Sequence, residues 1–354
     1  MTHIAAVRGA LPPHVYAQRD ITAWFGELCV PAGESRALLE RLHAASGVRT
    51  RHLALPLERY GTLDGFGAAN DAFIEVGVGL AEAAVRDALD ASGLTGGDVD
   101  MIMSVSVTGV AAPSIDARLV TRLGLRPDVK RVPVFGLGCV AGAAGIARLH
   151  DYLLGHPDDV AVLLSVELCS LTVQRDDTSG ANLVASGLFG DGAAAVVAVG
   201  AARAQAMGLA GPEVVATRSR FYPDTERVMG WDVGGTGFKI VLARSVADVV
   251  REHLGDDVRT FLEDYDLKTA DVACWVAHPG GPKVLTAMQD ALELSDGALD
   301  VTWRSLAAIG NLSSASVLHV LHDTIAEQRP VPGAPGLLLA LGPGFCAELV
   351  LLRW

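Results

Sequence analysis

Short apolar runs of strand length alternate with helical segments along this chain, and this alternation limits the possible folds more than any other feature. The runs contain at most one charged residue each and span residues 100–107, 160–166, 193–199 and 273–277. Between them lie an amphipathic helix over 68–92 and a small-residue helix from Val140 to about Leu154. Continuous apolar strands are typical of sheets covered by helices on both faces. The pattern predicts an α/β protein with a mostly central sheet.

The chain divides into two halves that share a strand–turn–helix arrangement, with a chemically reactive residue type at each turn. The composition becomes loop-like from Gly200 to Arg220. We therefore expect an N-terminal half over residues 1–205 and a C-terminal half over residues 206–354. No clear sequence repeat accompanies this division, so the duplication is inferred from the architecture.

Composition and charge exclude several classes of function. The chain has 354 residues, half of them hydrophobic, which is enough for one large or two medium cores. Its net charge of −13 argues against nucleic-acid binding, because phosphate contacts need a basic face. Apolar runs are shorter than the roughly 18 residues of a membrane-spanning helix, and the N-terminus lacks signal-peptide features. We expect a cytoplasmic protein with no membrane partner.

The cysteines and histidines do not form a metal-binding pattern. The five cysteines are scattered without a CxxC motif, at positions 29, 139, 169, 274 and 346. His319 and His322 have helical spacing, and we interpret them as ordinary helix residues instead of metal ligands. Reduced thiols in a reducing compartment fit this pattern better than disulfides or zinc.

Cys139 stands at a junction that suits a nucleophile. It follows a predicted buried strand, Arg131–Phe135, and a glycine turn, and it precedes the helix that begins at Val140. The first N–H groups of a helix lack intrahelical partners and carry the positive end of the macrodipole. A thiolate is stabilised in such a position. For a lone cysteine, however, the alternative is a small buried hydrophobe.

Two further residues give the cysteine a chemical context. His278 follows the predicted strand at 273–277 and precedes Pro-Gly-Gly-Pro, and ligands of α/β sheets bind at such strand ends. Asn311 follows a glycine at a helix start, where an asparagine can also be a simple cap. Together with Cys139 they supply a nucleophile, a base and an amide donor. A neighbouring histidine favours a thiolate–imidazolium pair, and an asparagine can stabilise an oxyanion.

Five motifs in fixed order cover nearly the whole chain. They are FGLGCVAGAA at 135–144, LFGDGAAA at 188–195, HPGGP at 278–282, GNLSSASVL at 310–318 and GPGF at 342–345. In this order they resemble the type III polyketide synthases, the chalcone-synthase-like branch of the thiolase superfamily. The resemblance implies a five-layered αβαβα thiolase-like fold of two related halves, working as a homodimer. It also implies an acyltransferase that needs no metal, nucleotide or flavin cofactor.

The resemblance assigns roles to individual positions. Cys139 is similar to the nucleophile that carries the acyl chain from an acyl-CoA starter. His278 and Asn311 are similar to the pair that binds the malonyl-CoA carbonyl and drives decarboxylation. Phe189 and Phe238 match the two gatekeeper phenylalanines, which are expected to exclude water. The enolate formed by decarboxylation needs positioned donors, and a shared cavity makes its attack on the acyl thioester effectively unimolecular.

Other positions are assigned to substrate and CoA binding. The substrate positions implied by the resemblance are Ser313, behind the asparagine, Thr172, and the cavity-wall loop Gly342, Pro343 and Gly344. Arg49 and Arg51 lie close together in a turn-like segment, where the family places residues that hold CoA phosphates. Lys283 is a further candidate for the same role. The alternative for the arginines is a pair of solvated surface residues.

Three small residues indicate which member of the family the chain resembles. Thr108, Ala112 and Cys169 fall where bacterial members that take long starters have small residues opening an acyl tunnel. Plant chalcone synthases have a methionine at the Ala112 position. The chain therefore resembles the alkylpyrone and alkylresorcinol synthases, which take medium- to long-chain fatty acyl-CoA starters. Small residues can also be simple packing against bulky neighbours.

Two other enzyme classes remain open at this point. A ketoacyl-ACP synthase III shares the fold and a Cys-His-Asn site but performs one condensation with a carrier-bound malonyl group. A dinucleotide-binding oxidoreductase is suggested by the loose glycine fingerprint over 136–141. That fingerprint lies in mid-chain and lacks a clear acidic residue at the expected distance, so we favour the polyketide synthase.

Overall fold

The computed structural model describes residues 1–30, 33–328 and 330–354. The strands are β1 (Thr2–Ala10), β2 (His14–Ala17), β3 (Thr50–Leu53), β4 (Met101–Ser106), β5 (Lys130–Phe135), β6 (Val160–Leu168), β7 (Asp191–Val199), β8 (Glu213–Phe221), β9 (Met229–Gly234), β10 (Gly237–Leu242), β11 (Cys274–Ala277), β12 (Pro335–Gly342) and β13 (Cys346–Arg353). The helices are α1 (Gln18–Cys29), α2 (Glu34–Ala44), α3 (Leu57–Tyr60), α4 (Gly65–Ser92), α5 (Ile115–Leu123), α6 (Ala141–Gly155), α7 (Gly180–Leu188), α8 (Ala201–Met207), α9 (Val246–Glu263), α10 (Pro282–Ala291), α11 (Asp300–Ile309) and α12 (Ser316–Asp323).

The main sheet consists of two parts joined at a narrow seam. Its strand order is β11-β12-β13-β8-β1-β7-β6-β4-β5. At the seam β1 pairs with β8 through Thr2 and His3 alone among the described residues, whereas β1 pairs with β7 along most of its length. The strands on one side of the seam come from the first half of the chain, and β1 is the strand of that half that borders the seam. Those on the other side come from the second half.

Helices cover both parts of the sheet and also fill the space between them. A central apolar core joins α6 and α12 to both parts, through residues such as Ile146 and Val317. A second core packs α4 and α5 on the outer face of the first part. A third packs α9 and α10 on the outer face of the second part. These layers confirm the expected αβαβα arrangement of an α/β fold.

Helix α6 packs so closely against its neighbours that there is no room for side chains at two of its glycines. A Cβ atom added at Gly142 would lie 2.4 Å from the carbonyl oxygen of Ser314, and one added at Gly145 would lie 2.4 Å from Leu163. Real Cβ contacts are longer than this, so larger side chains at either position would push the helix outward. The small residues of α6 therefore hold the preceding Cys139 close to the 313–315 turn.

Two local predictions are wrong. The segment at 131–135 is a strand, but it is an edge strand, and Val132 and Phe135 are 39% and 50% exposed instead of buried. The region after Gly200 is not loop-like, because it forms α8 and β8. The apolar content of a segment predicts a strand, but it does not show whether another structural element covers that strand. The division at residue 205 stays a prediction.

In the described residues, no helix is long and apolar enough to cross a membrane. All five cysteines are free, four of them buried. The cytoplasmic location stays a prediction.

Gly142→Ala is expected to lower the free energy of unfolding by about 1–3 kcal/mol, because the new methyl group overlaps the Ser314 carbonyl oxygen. Gly79 in α4 is exposed and has open space around a Cβ atom. Gly79→Ala is therefore expected to raise stability by about 0.5–1 kcal/mol through the better helix propensity of alanine. Urea unfolding of both variants measures this contrast. The same loss of stability at both positions would show that close packing of α6 is not the cause.

Candidate active site

Cys139 lies in a 3-10 turn, Gly138–Val140, that leads directly into α6. Its side chain is 7% exposed, and its Sγ–H donates to Ser313 Oγ over 3.6 Å. Gly138 has φ +58°, which favours glycine, and a Cβ atom there would lie 2.6 Å from Pro343. The turn is therefore held between the Ser313 segment and the Gly342–Gly344 loop, both of which the sequence had assigned to the substrate site.

Asn311 is attached to the first half of the chain through its backbone. It forms an isolated parallel bridge with Phe189. The Asn311 N–H donates to Leu188 O over 2.9 Å, and the Gly190 N–H donates to Asn311 O over 2.9 Å. The side-chain Oδ1 accepts the Ser313 N–H over 2.8 Å. Because the amide oxygen is engaged, the Nδ2 hydrogens are the donors that Asn311 presents to a ligand.

His278 follows β11 and is fixed by its backbone. Its N–H donates to Leu339 O over 2.9 Å. The side chain is 2% exposed, and neither ring nitrogen has a hydrogen-bond partner among the described residues. Buried polar atoms are normally paired, so an unpaired imidazole at a strand end is a candidate ligand-binding group.

Burial keeps the cysteine and the histidine neutral in this state. Burial raises the pKa of the Cys139 thiol to about 12; the Ser313 hydrogen bond lowers it, and the nearby Glu167 carboxylate raises it further. Burial also lowers the pKa of His278 to about 3. In this state the Cys139 Sγ–H donates to Ser313 Oγ, and the thiolate–imidazolium pair stays a prediction. A Cys139 thiolate or a His278 imidazolium is stable in such a buried site only when a group of opposite charge is within contact distance.

Glu167, at the end of β6, is a buried carboxylate that the sequence analysis missed. It is fully buried and accepts hydrogen bonds from Val107 N–H over 3.1 Å, Thr108 Oγ1–H over 2.8 Å and the Ser314 hydroxyl. Burial raises its pKa. It ties the strand ends of the first half to the turn that carries Ser313. Its position as the one charged residue of an otherwise apolar strand was the available signal.

The two gatekeeper positions differ in their surroundings. Phe238 is buried in an aromatic cluster with Phe66, Phe135 and Trp231, at ring-centroid distances of 5.2, 5.8 and 6.1 Å. Phe189 is half-buried and lines a small cavity instead. Both side chains supply apolar surface that can exclude water from a neighbouring substrate.

The residues predicted to form one acyl tunnel have different surroundings. Cys169 and Thr172 line a cavity of about 40 Å³ together with Phe189. The Thr108 hydroxyl is engaged with Glu167 and with the Leu168 N–H. Ala112 is exposed, on a loop that borders β5, so within one chain it does not line an acyl tunnel. The loop beside β5 faces outward because β5 is an edge strand, and the acyl tunnel stays a prediction.

The predicted arginine clamp for CoA is also corrected. Arg49 is exposed at the start of β3, but Arg51 is 3% exposed and faces the interior, so the two do not form one surface site. Lys283 is exposed in the first turn of α10. A Cβ atom at Gly47 would lie 3.4 Å from Pro282, so the segments that carry Arg49 and Lys283 are neighbours.

Family comparisons agree with this geometry over both halves. The family of chalcone and stilbene synthases matches with its N-terminal domain at residues 1–203 and with its C-terminal domain at residues 213–354. The chain belongs to this family of type III polyketide synthases. It is 63% identical to a 1,3,6,8-tetrahydroxynaphthalene synthase of Streptomyces peucetius subsp. caesius, over 100% of this chain and 93% of that protein. It is 36% identical to a putative chalcone synthase of Bacillus subtilis, over 87% and 86% of the two chains.

Solved structures show the same relationship. The crystal structure of the 1,3,6,8-tetrahydroxynaphthalene synthase of Streptomyces coelicolor, a bacterial type III polyketide synthase, superposes with a TM-score of 0.92. The sequence identity is 30%, and the match covers 99% of each chain. The protein is thus an acyltransferase with the thiolase-like fold of the type III polyketide synthases. This family assignment is preferred to the ketoacyl-ACP synthase III and to the dinucleotide-binding oxidoreductase. That its reaction needs no metal or cofactor stays a prediction.

Proposed function

We propose that this type III polyketide synthase makes 1,3,6,8-tetrahydroxynaphthalene from malonyl-CoA. The observation that carries the proposal is the 63% identity to the Streptomyces peucetius enzyme of that name over the whole chain. Identity to an α-pyrone polyketide synthase of Mycobacterium tuberculosis is 29% over 98% of this chain. That likeness keeps a fatty acyl-CoA starter, with a pyrone or resorcinol product, as the second candidate.

The carbon balance of the proposed reaction is simple. Naphthalene has ten skeletal carbons, and each malonyl unit contributes two after it loses CO₂. Five malonyl-CoA molecules therefore give one product molecule with five CO₂, five CoA and one water. With an acetyl-CoA starter, four malonyl-CoA molecules complete the ten carbons and only four CO₂ are released. With a malonyl starter, its own carboxylate is the last carbon to leave.

The cavity beside Cys169 supports a small starter. It measures about 40 Å³, and aromatic side chains enclose it, including Trp24, Phe25 and Trp231. Protein pockets that take drug-sized ligands measure roughly 300–1,000 Å³. A medium- or long-chain acyl group would need Trp231 or its neighbours to move. A two- or three-carbon group would not.

The catalytic roles follow from the charges that the reaction creates. Cys139 attacks the starter thioester, its proton passes to His278, and CoA leaves as the thiol once it regains a proton. The malonyl extender then binds with its thioester oxygen facing His278 and the Asn311 amide. Loss of CO₂ leaves an enolate on that oxygen, which these two donors stabilise. The enolate carbon attacks the carbonyl held on Cys139, and the Cys139 thiolate is released for the next cycle.

The aromatic side chains and the exposed basic residues have supporting roles. Phe189 and the Phe238 cluster exclude water from the malonyl carboxylate, so the carboxylate is poorly solvated and CO₂ leaves more readily. Arg49 and Lys283 lie on neighbouring segments at the surface and carry the positive charge that CoA phosphates require. Arg51 has no part in this surface site, because it is buried.

We propose that the protein works as a homodimer that pairs through β5. This strand forms one end of the main sheet and exposes Val132 and Phe135. Val110 on the adjacent loop is also exposed, and it shares a groove of about 150 Å³ with Phe135. Exposed apolar edge strands pair readily with another chain. The family resemblance makes a second copy of this chain the expected partner.

Purified protein given malonyl-CoA alone is expected to form a ten-carbon aromatic product, identified by mass spectrometry against authentic 1,3,6,8-tetrahydroxynaphthalene. Addition of fatty acyl-CoA starters is expected to leave this product dominant. Cys139→Ala is the control and is expected to abolish product, because no other residue carries the chain. Product that appears only with a fatty acyl-CoA would favour the second candidate and reject the first.

Size-exclusion chromatography with light scattering is expected to show a dimer for the wild type. Val132→Glu is expected to shift the equilibrium to monomer, because it places a charge on the paired edge. Val331→Glu is the matched control, since Val331 is 74% exposed and lies outside β5. A wild-type monomer at micromolar concentration, or dissociation by the control alone, contradicts pairing through β5.

A further inference from the structure

The cavity beside Cys169 contains a buried cation. Arg51 lines it, together with Cys169, Ser170 and Thr172. The alternation of β3 places Arg51 inward with Leu53, while Thr50 and His52 are less buried. A guanidinium remains charged at any physiological pH. The cavity thus combines a permanent positive charge, small polar groups and an apolar wall.

Two of the three guanidinium nitrogens of Arg51 are paired, but only with neutral acceptors. Nε donates to Gln18 Oε1 over 3.0 Å, and Nη1 donates to Phe189 O over 2.8 Å. Nη2 is buried and has no hydrogen-bond partner among the described residues. A buried charge is costly unless it is paired and hydrogen-bonded. Arg51 therefore has an open position for an anion.

Asp191 does not fill that position. Its carboxylate accepts the Ala54 N–H over 2.6 Å, the Ser170 N–H over 2.8 Å and the Ser170 hydroxyl. It affects Arg51 through space, and no ion pair joins the two in the described part of the chain. Asp191 reduces the net charge of the region without occupying Nη2.

The cavity adjoins the candidate active site, because Phe189 lines the cavity and forms the backbone bridge with Asn311. The pKa of the Cys169 thiol is raised well above its usual value, first by burial and then by electrostatic coupling to Glu167, Asp191 and Cys139. Cys169 also lies close enough to Arg51 to act on its charge. Arg51 itself lies against the active-site segment, because a Cβ atom added at Gly310, next to Asn311, would lie 3.3 Å from Arg51 Cδ.

We propose that Arg51 and this cavity form a carboxylate subsite that binds the terminal carboxylate of an acyl chain carried on Cys139. The inference rests on the proposed use of malonyl-CoA. One water needs about 10–15 Å³ of such space, so a cavity of about 40 Å³ has room for one carboxylate group. A charge-assisted hydrogen bond from Nη2 gives the subsite its affinity for an anion.

Such a subsite has two consequences for the reaction. It favours malonyl over acetyl as the starter, because only the malonyl thioester has a free carboxylate. It also slows loss of that carboxylate, since the ion pair stabilises the charged ground state while decarboxylation moves the charge away from Arg51. The extender experiences the opposite environment, because apolar side chains leave its carboxylate poorly solvated.

A starter competition tests the subsite. Enzyme is given equal malonyl-CoA and carbon-13-labelled acetyl-CoA, and mass spectrometry measures the fraction of product that carries the label. Arg51→Met is expected to raise the ratio of acetyl-primed to malonyl-primed product by about tenfold, the effect of losing one charged hydrogen bond. Arg59→Met is the matched control, because Arg59 is exposed and lines no described cavity. An unchanged ratio in Arg51→Met overturns the inference.

A measurement on the wild type keeps the test decisive if Arg51→Met does not fold. Thermal unfolding is followed with saturating CoA present, so that surface phosphate sites are filled, and with malonate or neutral malonamide added. Malonate is expected to raise Tm and malonamide to leave it unchanged. Equal stabilisation by chloride and malonate, or by malonamide and malonate, overturns the carboxylate assignment. If no tetrahydroxynaphthalene forms, the proposed function is rejected but the subsite is still tested, because the label ratio can be read on any polyketide product.

Discussion

The candidate active site depends on the close contact between α6 and the turn that follows Asn311. Gly142 lies so near the Ser314 carbonyl oxygen that no side chain fits between them. The contact brings the Cys139 turn, from the first half, within hydrogen-bond distance of Ser313, from the second. The backbone bridge between Phe189 and Asn311 ties the halves together a second time. The site is thus a product of the interface between two layered halves, and neither half contains it alone.

Burial is the second physical constraint, because it disfavours every charge that the reaction needs. It keeps Cys139 and His278 neutral and raises the pKa of Glu167. Charges formed during catalysis must therefore arise in pairs or against positioned donors. Arg51 is the exception, since a guanidinium cannot give up its proton to avoid the cost of burial. In the proposed carboxylate subsite, the charge of Arg51 is paired with the carboxylate of the substrate.

Much of this arrangement could be predicted from the sequence. The alternation of apolar strands with helices indicates the layered fold, and the glycine-rich motifs locate Cys139, His278 and Asn311. The periodicity of apolar residues does not show whether another strand or a helix covers a given strand. For this reason β5 and the Ala112 loop were expected in the interior, whereas they lie at the surface. The burial of Arg51 was missed because the segment was interpreted as a turn. As a strand, its alternation places Arg51 on the same side as Leu53.

In the proposed mechanism, His278 activates a thiol that burial alone would keep protonated. The most direct measurement is the pH dependence of Cys139 alkylation by iodoacetamide, read by peptide mass spectrometry in the wild type and in His278→Gln. An imidazolium within contact distance lowers the thiol pKa, and its removal raises it. Half-maximal alkylation in His278→Gln is expected to shift to higher pH, towards the Cys139 pKa of about 12 that results from burial. Superimposable profiles for a folded variant would contradict it.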